Sequence, residues 1–339
     1  MPILTAEKLI IAFHKLSDFL NHPSDEFNQT IDSAPNHNAW FTVTEVRRSL
    51  SSLQEMLNLN ALEKWFEQIT VSQNPKKIGL ILAGNIPLVG FHDILSVLAT
   101  GNTALIKLSS SDGQLLPALL KQLVLFEPLL ADRIVYAERL KDFDAIIATG
   151  SNNTSRYFDY YFGKVPNIIR KNRNSIAVLD GHESTEEIRL LGHDIFDYFG
   201  LGCRNVSKIY IPEDYEIKNF FEPLEVYQDV INHFKFNNNY DYNKSIYLVN
   251  TVQHFDNGFL LLKEDEGLCS PLAVLFFEKY RTLDELTEKL KGMQDQIQCI
   301  VTHTVLQLDG DAVSFGQSQH PQLWDYADNV NTITFLNKL

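Results

Sequence analysis

From Lys77 onward, the chain alternates short apolar runs with turns and helix-like segments. The apolar run 78–83 is followed by a turn at 84–87 and by a helical pattern over 88–100 that Gly101 closes. Further strands are predicted at 104–108, 133–136, 144–148 and 175–179. Apolar runs of this length are typical of parallel strands buried on both faces. Their alternation with helices predicts an α/β fold with a doubly wound sheet, whose ligands bind beyond the carboxyl ends of the strands.

The regions that flank this first α/β segment have different patterns. Residues 1–70 read as helical, although the polar stretch 21–38 interrupts the apolar periodicity. After residue 180 a second α/β unit is predicted, with a loop at the Asn- and Tyr-rich segment 237–243 and a strand at 332–336 in the tail. The other elements of that second unit are a helix over 186–199, a tight turn at 200–203, strands at 207–211, 271–277 and 299–304, and a helix over 283–293.

Charge excludes one class of partner. The chain has 29 Lys and Arg against 43 Asp and Glu, a net charge of -14, so nonspecific nucleic-acid binding is not expected. A few local backbone or Lys contacts still suffice for a small anionic ligand.

The N-terminus lacks the basic and apolar regions of a signal peptide, and no run approaches the roughly 20 apolar residues of a membrane span. We therefore expect a cytoplasmic protein with reduced thiols and no stable membrane insertion.

Three cysteines are too few for a disulfide framework, and none has metal-ligand spacing, so no metal site is predicted. Cys203 is the most informative, because it lies in the glycine turn Gly-Leu-Gly-Cys-Arg-Asn at 200–205. Glycines let a substrate approach the sulfur closely, and Arg204 is placed to favour the thiolate. The alternative is a buried structural cysteine. Cys269 and Cys299 lie in or beside predicted strands and are expected in the core.

Three further candidates follow predicted strands. Asn85 lies in a turn, where its amide can donate to a developing oxyanion, although an ordinary turn asparagine is the alternative. Lys107 ends a strand, either facing a nucleotide or solvated. Gly150 and Ser151 open a helix, where backbone N–H groups can hold a diphosphate, but a simple helix cap is equally compatible. There is no G-x-G-x-x-G fingerprint.

Other polar and aromatic side chains are expected to be structural. His92 is interpreted as a packing residue, and no partner for His193 or His303 is visible in the sequence. Aromatic residues of the tail, including Trp324 and Tyr326, either pack on neighbouring elements or line a channel for an apolar substrate.

In this order, the motifs resemble those of the aldehyde dehydrogenase superfamily. Within it, the closest resemblance is to the acyl-CoA reductase family typified by the fatty-acid reductase of bacterial luminescence. Residues 84–87 resemble Trp-Asn-Phe-Pro, and 99–110 resemble Ala-Gly-Asn-Thr-Val-Val-Leu-Lys-Pro-Ser-Glu. Residues 149–151 resemble the Thr-Gly-Ser turn, and 200–203 resemble the Gly-Gln-x-Cys nucleophile element. The resemblance runs from about Lys77 to the C-terminus.

The resemblance implies a role for each matching residue. Cys203 becomes the nucleophile and Asn85 the donor to the thioester oxygen. The implied cofactor-binding residues are Lys107 at a ribose, Ser109 and Ser110 in the same element, Gly150 and Ser151 at the diphosphate, and Glu266 at the nicotinamide ribose after a one-residue shift.

The resemblance also implies a domain organisation. An aldehyde-dehydrogenase-like fold is expected, with a doubly wound cofactor-binding domain, a second α/β domain carrying the nucleophilic Cys and a helical N-terminal segment. The implied domains are the helical segment 1–76, a dinucleotide-binding domain 77–180, a catalytic thiol domain 181–310 and a tail 311–339.

Two departures from the superfamily pattern carry information. Ser110 stands where a glutamate would repel a 2′-phosphate, which favours NADPH over NADH. The Leu-Glu-Leu-Gly-Gly element is missing, and its water-activating base falls near Ile169. Without that base, a Cys203 thioester should persist until it is exchanged or reduced.

The leading hypothesis is therefore NADPH-dependent reduction of an acyl thioester, carried by CoA or an acyl carrier, to the aldehyde. A fatty acyl-CoA is the favoured substrate, and a homo-oligomer is a further expectation. The alternatives are a CoA-acylating aldehyde dehydrogenase and a non-catalytic scaffold of the same fold that binds a nucleotide or a partner.

Overall fold

The computed structural model describes residues 3–150, 152–308 and 312–339. Two compact units are found: Met1–Asn172 together with His320–Leu339, and Arg173–Gln319. These boundaries differ from those implied by the motifs. The N-terminal helices and residues 320–339 of the tail share one apolar core with the first sheet, so all three belong to the first unit.

The first unit begins with four helices. They are α1 (Ala6–Asn21), α2 (Asp25–His37), α3 (Val43–Met56) and α4 (Leu59–Phe66), capped by the side chains of Thr5, Ser24, Thr42 and Asn58 respectively. Helix α2 occupies the segment where the sequence predicted a break, so that prediction was wrong. Phe27, Ile31 and Ala34 recur at helical spacing and are buried, giving an otherwise polar segment one apolar face.

The sheet of the first unit is parallel in all its observed pairings. Its strands are β1 (Lys77–Ile81), β2 (Thr103–Lys107), β3 (Ile134–Tyr136), β4 (Ala145–Thr149) and β5 (Asn167–Arg170). Their order is β3-β2-β1-β4-β5. Helices α5 (Phe91–Ala99), α6 (Leu115–Phe126) and α7 (Asn152–Phe162) accompany them. The alternation predicted from the sequence is confirmed, although β5 was not predicted.

The second unit holds a larger sheet, in the order β12-β11-β6-β7-β10-β9-β8. Its strands are β6 (Asn174–Val178), β7 (Val206–Pro212), β8 (Phe255–Asp256), β9 (Leu261–Glu264), β10 (Val274–Tyr280), β11 (Ile297–Val301) and β12 (Ala312–Val313). Its helices are α8 (Thr185–Phe196), α9 (Ile217–Leu224), α10 (Phe234–Val249) and α11 (Leu283–Lys291). Pairing is parallel except between β8 and β9.

Two further predictions of secondary structure were wrong. Residues 237–243 lie inside α10, where Asn239 and Asn243 donate Nδ2 hydrogens to carbonyls four residues earlier, at 2.8 and 2.9 Å. Residues 332–336 form helix α12 (Thr332–Leu336), because Asn331 caps it by accepting from the N–H of Thr334 at 2.8 Å.

The tail is anchored by a buried aromatic cluster in the first unit. Trp65 is fully buried, and its Nε1 donates to the hydroxyl of Tyr326 at 2.8 Å. The ring of His92 contacts both, and its Nε2 lies 3.0 Å from the carbonyl oxygen of Leu323. Burial lowers the pKa of His92, in agreement with a packing role.

Among the described residues, no helix has the length and apolar character to cross a membrane.

Replacing Tyr326 with Phe tests this anchor. Tyr326→Phe leaves the indole N–H of Trp65 buried without its acceptor, so we expect a loss of about 1–3 kcal/mol in the free energy of unfolding. Denaturant titration measures it. Tyr242→Phe, at an exposed tyrosine, is the control and should change stability by less than about 0.5 kcal/mol. Equal effects of the two substitutions contradict the anchor.

Candidate active site

The structure brings several predicted cofactor residues to one edge of the first unit's sheet. Asn85 follows β1, Lys107 ends β2 and Gly150 follows β4. Because β2, β1 and β4 are parallel neighbours, their carboxyl ends meet at the same edge. Ser109 and Ser110 come directly after β2 at this edge. Parallel sheets of this kind bind ligands at that edge, so the placement fits a nucleotide site.

The turn that carries Asn85 is held tightly. A Cβ atom on Gly84 would lie 2.3 Å from Oγ and 2.6 Å from Cβ of Ser109, so only glycine lets the two strand ends approach this closely. Leu88 has a positive φ of 59°, and its N–H donates to the buried carboxylate of Asp112 at 2.8 Å. Burial raises the pKa of Asp112.

A second buried side chain, from the N-terminal helices, binds the same turn. Ser49, in α3, donates its hydroxyl to the carbonyl oxygen of Pro87 at 2.8 Å. The N-terminal helices therefore help to position the Asn85 turn. The sequence carried no signal for this contact, because the two residues are 38 positions apart.

Gly150 allows a close approach between β4 and the start of α7. A Cβ atom there would lie 2.9 Å from Phe158 and 3.1 Å from Thr154. The helix N-terminus at this strand end is a place where backbone N–H groups bind a diphosphate, so the local chemistry fits a dinucleotide. Ser151 lies outside the described residues. Lys107 and Ser110 are exposed, as residues that contact a ligand at this edge must be.

The segment that leads into the thiol turn, residues 202–205 of the second unit, has an unusual backbone. Tyr198, Phe199 and Gly200 all have positive φ, at 53°, 58° and 76°. For the two aromatic residues the left-handed conformation costs about 1–3 kcal/mol each. Such strain persists only where the surroundings hold it in place, and it is concentrated at functional sites. Cys203 lies three residues beyond this left-handed segment and is exposed.

The three cysteines have different environments. Cys299 is buried, and burial raises its pKa to about 11, so it is a core thiol as predicted. Cys269 is exposed, so the prediction that it belongs to the core was wrong. It lies in the loop between β9 and β10 rather than in a strand, and it therefore lacks the cover of the sheet. The hydroxyl of Ser175 lies 3.0 Å from the carbonyl oxygen of Cys203 and 3.1 Å from Sγ of Cys299.

Arg204 binds backbone close to the thiol turn. Its Nε donates to the carbonyl oxygen of Ser318 at 2.6 Å, and its charge acts to lower the pKa of buried Cys299. The N–H of Ser318 donates to the carboxylate of Asp194 at 2.9 Å, as does that of Gly316 at 2.6 Å. Burial raises the pKa of Asp194 to about 6. Segment 316–318 is thus fixed through both its carbonyl and its N–H groups.

Glu266 is exposed, and a lysine that sequence reasoning missed holds its backbone. The side chain of Lys208 is fully buried, and its Nζ donates to the carbonyl oxygens of Asp265 and Glu266 at 3.0 and 2.9 Å. A third bond, of 2.7 Å, goes to the carboxylate of Glu278. Burial lowers the pKa of Lys208, and Glu278 opposes that shift. The sequence signal for this role was the position of Lys208 inside the otherwise apolar strand 207–211, where a charged side chain needs buried partners.

His303 also has partners that the sequence did not reveal. Its ring nitrogens lie 3.0 Å from Asp180 and 3.0 Å from Glu187. Partial burial alone would lower the pKa of His303, but these two hydrogen bonds raise it above the usual value. Asp180, Glu183 and His303 bring their ligand atoms within 4.8 Å of one another. Because both ring nitrogens of His303 already engage carboxylates, the cluster is best described as an ion-pair network.

Solved structures define the fold class. An oxidoreductase from Marinobacter aquaeolei matches with a TM-score of 0.70 at 13% sequence identity, over 95% of this chain and 80% of that one. Aldehyde dehydrogenase 21 from Physcomitrella patens matches with a TM-score of 0.67 at 14% identity, over 98% of this chain and 85% of that one. At these identities the similarity establishes the fold, which is the predicted aldehyde dehydrogenase fold.

Sequence comparison defines the family. The long-chain acyl-protein thioester reductase of Vibrio harveyi is 27% identical over 171 residues, which cover 44% of this chain and 36% of that protein. The match thus spans about a third of that relative's length. A family model described as acyl-CoA reductase (LuxC) matches residues 39–233, which is more than half of the chain. The resemblance seen in the motifs is thereby confirmed, and the chain belongs to the LuxC acyl-CoA reductase family.

Proposed function

We propose that the protein reduces an acyl thioester to the corresponding aldehyde through a covalent intermediate on Cys203. The observation that carries the proposal is the exposed thiol of Cys203, three residues beyond a segment whose backbone is held in a strained conformation. Membership of the acyl-CoA reductase family supports the same reaction. A protein that only binds a nucleotide needs neither an exposed thiol nor strain beside it.

The proposed first step is acyl transfer. The Cys203 thiolate attacks the thioester carbonyl, a new carbon–sulfur bond forms, and the bond to the carrier sulfur breaks as that sulfur leaves and takes up a proton. Asn85 is proposed as the amide that donates to the carbonyl oxygen, a role that rests on its motif. Because Ile169 stands near the position of the hydrolytic base, the acyl-enzyme persists.

The second step is reduction. When bound, NADPH would supply the hydride for the acyl carbon, and the bond from that carbon to the Cys203 sulfur would then break, releasing the aldehyde and leaving Cys203 as the thiolate. The residues proposed to hold the cofactor at the carboxyl edge of the first sheet are Lys107, Ser109, Ser110 and Gly150. Glu266 is proposed from its motif alone. Ser151 remains a proposal from the motif. Preference for NADPH rests on Ser110, which is exposed and uncharged.

The substrate class is a long-chain acyl group on CoA or on a carrier protein. The Vibrio harveyi relative is named for acyl-protein thioesters, and the family for acyl-CoA, which supports a thioester without deciding its carrier. The reverse, CoA-acylating reaction uses the same residues. A cytoplasmic location and a homo-oligomer stay predictions.

Acyl-adduct formation tests the nucleophile. Incubation with radiolabelled acyl-CoAs of several lengths should give a hydroxylamine-labile adduct that NADPH discharges as aldehyde. Cys203→Ala should abolish the adduct, whereas Cys269→Ala, at the other exposed cysteine, should retain it. An adduct that survives in Cys203→Ala contradicts the assignment. If the wild-type protein forms no adduct with either acyl-CoA or an acylated carrier protein, the result supports the alternative of a non-catalytic binding scaffold.

Two glycines test the nucleotide edge. In Gly84→Ala the new Cβ collides with Ser109, so the strand ends must separate and NADPH affinity should fall at least about tenfold, roughly 1.4 kcal/mol. Gly113→Ala is the matched control, because nothing lies within 4 Å of a Cβ there. Quenching of protein fluorescence by NADPH measures both dissociation constants. Unchanged affinity in Gly84→Ala removes this edge from the proposed site.

Ser110 tests cofactor preference. Ser110→Glu places a negative charge where the motif puts the 2′-phosphate, so the ratio of NADH to NADPH affinity should rise about tenfold or more. Ser110→Gln, which has similar size and no charge, should leave the ratio within about threefold. Titration of each variant with both nucleotides gives the ratios. The same shift in both variants indicates a steric cause instead of charge.

A further inference from the structure

Asn205 lies two residues after Cys203 and is buried, 4% exposed. Its Oδ1 accepts from the N–H of Gly202 at 2.8 Å, and its own N–H donates to the carbonyl oxygen of Gly202 at 3.0 Å. These two bonds close a four-residue turn in which Cys203 is the second residue. Asn205 therefore fixes the backbone conformation of the turn that carries Cys203.

The other end of the same amide reaches the preceding helix. Nδ2 of Asn205 donates to the carbonyl oxygen of Asp194, in α8, at 3.0 Å and to that of Asp197 at 2.9 Å. Asp197 immediately precedes the left-handed segment 198–200, and Gly202 comes two residues after it. One side chain thus bridges both ends of the strained segment.

Only a primary amide of this length meets these demands. The site presents one N–H and two carbonyl oxygens, so it needs an acceptor and two donor hydrogens on neighbouring atoms. The opposite orientation of the amide would set its oxygen against two carbonyls, which fixes the assignment of Oδ1 and Nδ2. Aspartate keeps the acceptor but loses both donors, and leucine keeps the shape alone.

We propose that Asn205 is a positioning residue for the Cys203 nucleophile, because it closes the thiol turn and ties that turn to the end of the preceding helix across the strained segment. The inference deepens the proposed function and rests on it for its catalytic consequence. Acyl transfer requires the sulfur to meet the carbonyl at a defined distance and direction, and a displacement of about 1 Å can slow such a reaction about a hundredfold. A small, freely diffusing reagent makes no such demand.

The first measurement concerns the clamp itself and needs no substrate. Hydrogen–deuterium exchange of a peptide spanning 200–206 should be at least about tenfold faster in Asn205→Ala than in the wild type, because the Gly202 N–H loses its acceptor. Asn243→Ala is the matched control. Asn243 is also buried, 6% exposed, and likewise donates Nδ2 to two carbonyl oxygens, those of Asn239 and Leu272, at 2.9 Å each. It should leave exchange of this peptide unchanged. Unchanged exchange in Asn205→Ala overturns the clamp.

The second measurement concerns positioning. Asn205→Ala should form the Cys203 acyl adduct at least about tenfold more slowly, while alkylation of Cys203 by iodoacetamide stays within about threefold of the wild type. A merely structural role predicts instead that acyl transfer falls only in proportion to the unfolded fraction of the variant, which denaturant titration of the same variant measures, because alkylation of an exposed thiol does not need the folded state. Acyl transfer at the wild-type rate also overturns positioning.

The two failures are distinguishable. If the wild type forms no adduct, the proposed function fails while exchange still decides whether the clamp exists. If Asn205→Ala does not fold, Asn205→Asp takes its place: it keeps the acceptor for Gly202 and sets a carboxylate oxygen against the carbonyls of Asp194 and Asp197. The same split between acyl transfer and alkylation is expected there, and its absence contradicts the inference.

Discussion

The loops that carry the candidate site depend on buried polar side chains that bind their backbones. A loop at the end of a strand cannot pair its N–H and carbonyl groups within the sheet, and an unpaired buried group costs about 1–3 kcal/mol. Ser49 and Asp112 meet this need for the Asn85 turn. Asn205 does so for the thiol turn, and Lys208 for the backbone at Glu266. The same hydrogen bonds that remove this energetic penalty also fix the backbone at the candidate site residues Asn85, Cys203 and Glu266.

The loop 198–205, which carries Cys203, combines a strained backbone with several hydrogen bonds from the buried side chain of Asn205. Consecutive left-handed residues are unfavourable for Tyr198 and Phe199, yet both side chains are buried, so packing offsets part of the cost. Cys203, three residues beyond the left-handed segment, is exposed, whereas Cys299 is buried and its pKa is raised to about 11. Ser175 contacts both cysteines, but through the backbone carbonyl oxygen of Cys203 and through the Sγ of Cys299. Exposure thus distinguishes the proposed nucleophile from the core thiol.

The errors in the sequence-based assignments share one physical origin. Segment 21–38 looked too polar for a helix, but Phe27 and Ile31 gain enough from burial in the first unit's core. The Asn-rich segment 237–243 lies in a helix that buries Phe236, Tyr240 and Tyr247, which recur at helical spacing. Local composition measures the preference of an isolated segment, and tertiary burial or a single cap overrides differences of this size.

The sequence alone determined the alternation of strands and helices, and with it the residues that follow strand ends. Periodicity and turn residues are local properties, so the placement of Asn85, Lys107 and Gly150 after strands was predictable. The family motifs added their order along the chain. Only the tertiary structure decided which thiols are exposed, which polar side chains hold the loops, and that residues 320–339 join the first unit. Those contacts join residues far apart in sequence, such as Trp65 with Tyr326, and no local pattern encodes such a partner.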